Sequence, residues 1–473
     1  MDRTSTLDSA FLQIEDAHSA LHIASVAVFA GPAPSHRRVL EALGGRLALA
    51  PRLRQRLITV PFAFGRPVWV DDPDFDLTRH VRRLAVPAPG GVEQLHEVVD
   101  VVLSEHLDHG RPLWEDVVIE GLPEGRWALV TKVHHTMVDG IAGTDLLSTI
   151  LERSPLPDAP APVERWSPRP LPGRARLVSD ALRTQAELRS EELRAAPGAV
   201  RSVLHPRTLR AAYRTGRGLL GFAQAVVPVA SSSLVGPLGR DRTYRWTEAG
   251  LDDVLFVHTR LGGTVNDLVL AVVTRAFRDL LLARGEDPPP DAVRCLVPVS
   301  VRRDQGREVL DNEVSALLAV LPVELEDPRD RLNEVAVRMR AAKASHEAET
   351  GEWVTRIADE VPPPVATAFL HLAFRSPHRN LTTVVTNVPG PSDELYLAGS
   401  RLLATYPYVP IADRLRIGTA VTTYADKVLF GITADAESTP DVAVFVAGLD
   451  AGFAELLDLA RAQDAKDAKD VTR

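Results

Sequence analysis

Seven prolines fall in one short stretch, at Pro155, Pro157, Pro160, Pro162, Pro168, Pro170 and Pro172. Each fixes its own φ and lacks a backbone donor, so neither a regular helix nor a central strand can run through them. This stretch is a linker or a wrapped connection that divides the chain. At 473 residues, 45% of them hydrophobic and 25% charged, the chain is also too long for one compact core. Two halves are expected, residues 1–155 and 246–463, joined by a connection over 156–245 and followed by a tail over 464–473 without structure.

The first half alternates strand-like and helix-like stretches, which points to layered α and β structure. The apolar run Leu21 to Ala30 contains His22 and Ser25 and falls short of the roughly 20 residues that span a bilayer, so it reads as a buried strand. The opening residues carry Asp2 and Asp8 and lack the basic start and apolar stretch of a secretory signal. A cytoplasmic chain with at most peripheral membrane contact is expected. Between Arg165 and Arg245 fifteen arginines oppose five acids, and Leu177, Ala181, Leu182, Ala186 and Leu193 recur at helical spacing. In it Arg201, Arg207, Arg210, Arg214 and Arg217 precede the apolar stretch Leu219 to Val229, either a solvated helical face with a packed connector or a dock for anionic lipid headgroups. In the second half, Val265, Leu268, Val269, Val272, Val273, Phe277, Leu280 and Leu281 mark one face of a helix that starts beside Asn266. A net charge of −9 argues against nucleic-acid partners, and a lone Cys295 excludes an intrachain disulfide.

The segment that carries chemistry is His134-His135-Thr136-Met137-Val138-Asp139-Gly140. It follows the buried-strand pattern Trp127 to Val133 and precedes a helix pattern over Ile141 to Leu151, so the histidines sit at a strand end. Adjacent strand residues face opposite ways, and only one imidazole can enter a given cleft. A neutral imidazole is a base suited to an alcohol proton at neutral pH. Asp139 in the turn suits an arginine and the local backbone, fixing the loop that aims the histidine. His-Glu-x-x-His, a Cys/His cluster and Gly-x-Ser-x-Gly are all missing from the sequence, which disfavours a metal site and a serine nucleophile.

These residues resemble the His-His-x-x-x-Asp-Gly acyltransferase superfamily, which includes chloramphenicol acetyltransferase-like enzymes and peptide-synthetase condensation domains. Further segments are similar to the bacterial wax ester synthase/diacylglycerol acyltransferase family: Leu7 to Leu12, Pro51 to Leu57, Arg111-Pro112-Leu113-Trp114-Glu115, Asn266-Asp267, Pro298 to Arg302, and Thr386 to Pro391. Asp311-Asn312-Glu313 departs from the family pattern, and no catalytic role is attached to His106 or His109.

The resemblance implies an α/β fold of the α+β type. Two chloramphenicol acetyltransferase-like domains, each a mixed sheet flanked by helices, would enclose a tunnel between them. It also implies acyl-CoA as co-substrate, no cofactor, and a lipid alcohol as acceptor, diacylglycerol first and long-chain fatty alcohols second. In this reading His135 is the general base, supported by His134, Asp139 and Gly140. Arg54 pairs with Asp139, with Arg302 in reserve, and Asn266 is either an oxyanion donor or a helix cap. Pro112, Leu113 and Trp114 form a packing corner or a tunnel wall. A condensation-type enzyme using carrier-protein thioesters and a non-catalytic lipid-droplet protein stand as alternatives.

Overall fold

A computed structural model describes residues 2–140, 150–155, 166–184, 186, 232–300, 314–344 and 381–471. Within these, β6 (Trp127–His134) is buried at every position, its polar Thr131, Lys132 and His134 included. It lies in a sheet ordered β11-β12-β1-β6-β5-β4. The strands are β1 (His22–Phe29), β4 (Val81–Ala85), β5 (Trp114–Glu120), β11 (Tyr396–Leu397) and β12 (Ser400–Tyr408). Pairing is antiparallel except between β4 and β5. A small hairpin, β2 (Gln55–Ile58) with β3 (Val68–Asp71), projects separately.

The second sheet runs β7-β14-β13-β10-β8-β9. Its strands are β7 (Arg242–Gly250), β8 (Val293–Ser300), β9 (Val314–Leu321), β10 (Thr383–Val388), β13 (Ile417–Tyr424) and β14 (Lys427–Asp435). β10 is parallel to β13 and to β8, and the other pairs are antiparallel. Both sheets are therefore mixed and flanked by helices, as expected. Cys295 lies buried in β8 as a small apolar side chain.

The helix Val265–Ala283 buries Leu268, Val269, Val272, Val273, Phe277, Leu280 and Leu281, the face read from its spacing. Its start is a capping box in which Thr264 accepts from Asp267 N–H and Asp267 reaches back to Thr264 N–H. Two expectations meet a different outcome. Asn266 is not the cap: it is the second residue inside the helix, and Thr264 does that work. The charged tail is not without structure, because the helix Val442–Val471 continues through it. Alanines with strong helix propensity and a Gln463 to Asp467 bond of 2.8 Å one turn apart sustain those last turns.

The sheets do not follow the order of the sequence. β11 and β12 come from the C-terminal half yet complete the first sheet, where Val26 of β1 lies between Tyr406 of β12 and Val130 of β6. One hydrophobic cluster accordingly joins Val26, Trp127 and Val130 to Tyr244, Tyr424 and Leu429 of the second sheet. The prolines from Pro168 to Pro172 lie in irregular chain, and 174–184 is helical. Residues 156–165 and 187–231, with most of the arginine-rich segment, lie outside the described residues. No described helix is long and apolar enough to cross a membrane.

Candidate active site

The two histidines are fixed by their backbones before their side chains act. His134 N–H donates to Leu113 O at 2.9 Å, and His135 N–H donates to Leu21 O at 3.0 Å. The first anchor belongs to Pro112-Leu113-Trp114, all three buried. The Trp114 indole N–H donates to Leu53 O at 2.8 Å, and its ring stacks on His80 with centroids 4.6 Å apart. This corner therefore ties β5 and the Pro51–Arg54 turn to the strand end that carries the histidines. Leu113 and Trp114 pack with Leu53 and Val133 in one buried cluster.

His134 ends β6, and His135 opens a 3-10 turn, His135–Gly140. His134 is fully buried, with Nδ1 2.9 Å from Thr136 Oγ1 and 3.2 Å from the Thr136 backbone N. A backbone N–H can only donate, so Nδ1 accepts and the ring proton sits on Nε2. Nε2 in turn faces Glu15 Oε2 at 3.3 Å. His109 Nε2 meets the same oxygen at 2.7 Å from the solvent side. Burial works to raise the Glu15 carboxyl, but the facing His109 and His134 outweigh it and hold it well below the usual carboxylate range. Glu15 in its turn raises the imidazolium pKa of His109. Its other oxygen accepts from Leu21 N–H at 3.2 Å, and Leu21 O is the anchor of His135.

His135 has a different environment. Its ring lies against Phe11, centroids 4.1 Å apart. Burial, reinforced by the neighbouring His134, pushes its pKa down to about 4. At neutral pH the ring is uncharged and keeps a free lone pair, as a base requires.

Glu15, His109 and His134 place three donor atoms within 4.8 Å of one another, close enough for a metal. With Nδ1 accepting from Thr136 N–H, however, the ring proton occupies His134 Nε2 and leaves that nitrogen no lone pair to give. The arrangement suits a proton-linked ion pair.

The sequence gives no sign that Glu15 and His109 meet His134, because nothing in the spacing of a helix end and a loop reveals that both reach it. His22 was likewise missed; it lies opposite His134 in register, buried, its pKa pushed well down by desolvation. Arg54 lies 5.7 Å over the Trp166 ring. The side chain of Asp139 and the whole of Arg302 lie outside the described residues, and with them the expected pairing of Arg54 and Asp139. Asn266 is half-buried on the first turn of its helix.

Comparison with known proteins fits this geometry. The wax ester synthase/diacylglycerol acyltransferase catalytic domain matches residues 4–269, and the WS/DGAT C-terminal domain matches residues 310–457. A chain of Mycobacterium tuberculosis (strain H37Rv), named a probable diacylglycerol O-acyltransferase, is 38% identical over 463 residues, covering 98% of this chain and 97% of its own. The solved wax ester synthase/diacylglycerol acyltransferase from Marinobacter aquaeolei VT8 superposes with a TM-score of 0.67 at 26% identity, covering 97% of this chain and 99% of that one. A starter condensation domain of rhizomide synthetase, in complex with C8-CoA, shares the fold at a TM-score of 0.52 and 14% identity, covering 98% of this chain and 94% of its own. Two matched domains, a full-length relative and a histidine pair at the end of β6 lead to one assignment: the chain belongs to the wax ester synthase/diacylglycerol acyltransferase family.

Proposed function

We propose that the chain is an acyl-CoA-dependent O-acyltransferase that esterifies diacylglycerol to triacylglycerol, with His135 as general base. The observation that carries this reading is the half-buried His135 directly after β6, its ring against Phe11 and its pKa held down by desolvation, in a chain of this family. The acceptor hydroxyl gives its proton to His135 as its oxygen attacks the thioester carbonyl carbon. The tetrahedral intermediate then collapses, the C–S bond breaks, and His135 returns the proton to the departing CoA sulfur. No covalent acyl-enzyme and no cofactor are required.

In this proposal Glu15 holds His134, and the Glu15 to Leu21 bond carries that restraint to the backbone of His135. Asp139 pairs with Arg54 to set the turn after the histidines. Asn266, with a side-chain amide near the positive end of its helix, is a donor for the oxyanion. The two halves enclose a tunnel in which acyl chain and acceptor meet, and the enzyme works at the surface of a membrane or lipid droplet. Long-chain fatty alcohols are the second acceptor class, supported by the solved family member that is also a wax ester synthase.

Thiol release from one acyl-CoA, measured against diacylglycerol, monoacylglycerol and a fatty alcohol, tests reaction and base together. Wild type is expected to favour diacylglycerol without any carrier protein and to be indifferent to a chelator. His135→Ala is expected to lose about a hundred- to ten-thousand-fold in kcat. Full activity in that variant refutes the mechanism, and a preference for the fatty alcohol reassigns the acceptor.

A further inference from the structure

Among the described residues the most exposed large apolar side chain is Phe62, at 84%. It sits in the turn Pro61–Ala63 between β2 and β3, with φ at 60°, a left-handed conformation that bulky residues avoid. Phe64, 41% exposed, lies 5.7 Å from it, ring to ring. The tip thus holds Phe62 largely in water with the partly exposed Phe64 ring beside it.

The base of this hairpin is firmly seated. Val60 and Val68 pack with Leu177 and Ala181 of the helical run 174–184. A Cβ placed on Gly65 would fall 3.2 Å from Ala181 Cβ, so tip and helix are in close contact. Next to Ala181 the helix exposes Leu182, at 49%. The run contains one acid, Asp180, which is paired with Arg3 at 2.7 Å. Arg174, Arg176 and Arg183 are exposed and make no ion pair with another described residue. Apolar rings and uncompensated cations therefore share one seated unit.

We propose that the β2–β3 tip and the helical run 174–184 form a docking surface for an anionic phospholipid interface. Phe62 and Phe64 enter the boundary between headgroups and acyl chains, and the three arginines meet the lipid phosphates. The inference rests on the reading of the acceptor as diacylglycerol, a molecule that resides in such an interface. With no described helix able to cross a membrane, a peripheral surface of this kind gives the chain its access.

The test uses the full chain in co-flotation with phosphatidylcholine vesicles, with and without phosphatidylglycerol, at low and high salt. Replacing both rings, F62A with F64A, is expected to lower vesicle partitioning by about tenfold per ring. Phe62→Trp is expected to retain wild-type flotation. Replacing Arg174, Arg176 and Arg183 by glutamine is expected to remove the gain from phosphatidylglycerol and its salt sensitivity. All variants should keep wild-type melting temperature and wild-type turnover on a detergent-dispersed short-chain diacylglycerol. Unchanged flotation of the double phenylalanine variant overturns the proposal. So does a shift of that variant from dimer to monomer in light scattering with flotation intact, which would assign the surface to a second copy. His135→Ala should float like wild type, so its loss of turnover bears on the base alone.

Discussion

At the scale of single residues, the division of labour between two adjacent histidines follows from what each ring touches. His134 accepts from Thr136 on one nitrogen and faces Glu15 at 3.3 Å with the other, while His135 rests against Phe11 with its pKa held down by burial. Because the folded His135 titrates near pH 4 rather than about 6.5, the acid limb of kcat should fall near pH 4. Stability should move the same way: below about pH 6.5 the unfolded chain binds a proton that folded His135 refuses, so acidification destabilises the fold down to about pH 4. A pH series of kcat and melting temperature checks both, and His135→Gln should flatten that part of the stability curve. Glu15→Gln removes the charge that faces His109 and His134; a buried partner lost in this way costs about 1–3 kcal/mol, read by denaturant unfolding. It should lower kcat with KM unchanged. That the two adjacent histidines must face different settings was legible from the alternation of a strand, and the family resemblance pointed to the second as the base. That Glu15 and His109 complete its setting was not, since a helix end, a loop and a strand end become neighbours only when the chain folds.

At the scale of elements, β6 bears a demanding load. Two residues before His134 on the same face, Lys132 is fully buried and donates to Val102 O at 2.7 Å and Glu105 O at 2.6 Å. It thereby caps the C-terminal end of the helix Val92–Ser104 with a positive charge, where the helix dipole favours one. Lys132→Met should cost about 3 kcal/mol, since those carbonyls lose their buried donor. The helix Val265–Ala283 offers a cleaner contrast between cap and site. Thr264→Ala should destabilise by about 1 kcal/mol through its lost capping box. Asn266→Ala should leave the melting temperature near wild type while lowering turnover; the reverse pattern would remove Asn266 from the chemistry.

At the scale of the whole molecule, the governing feature is β12, contributed by the C-terminal half of the sequence and seated beside β1 in the first sheet. The shared cluster from Val26 to Leu429 should make thermal unfolding a single calorimetric transition. An N-terminal fragment, residues 1–155, should expose the edge of β1 and aggregate, and a soluble cooperative fragment would contradict this. The chain by itself determined the mixed α and β layering, the helix at Val265–Ala283, the proline-rich break and a histidine pair at a strand end, because each rests on local periodicity or on chemistry packed into a few residues. Tertiary structure alone decided that β12 joins the first sheet, that Glu15 and His109 flank His134, and that Phe62 is left largely in water. These outcomes depend on burial and on pairings between segments far apart in the chain, where local preference has no vote.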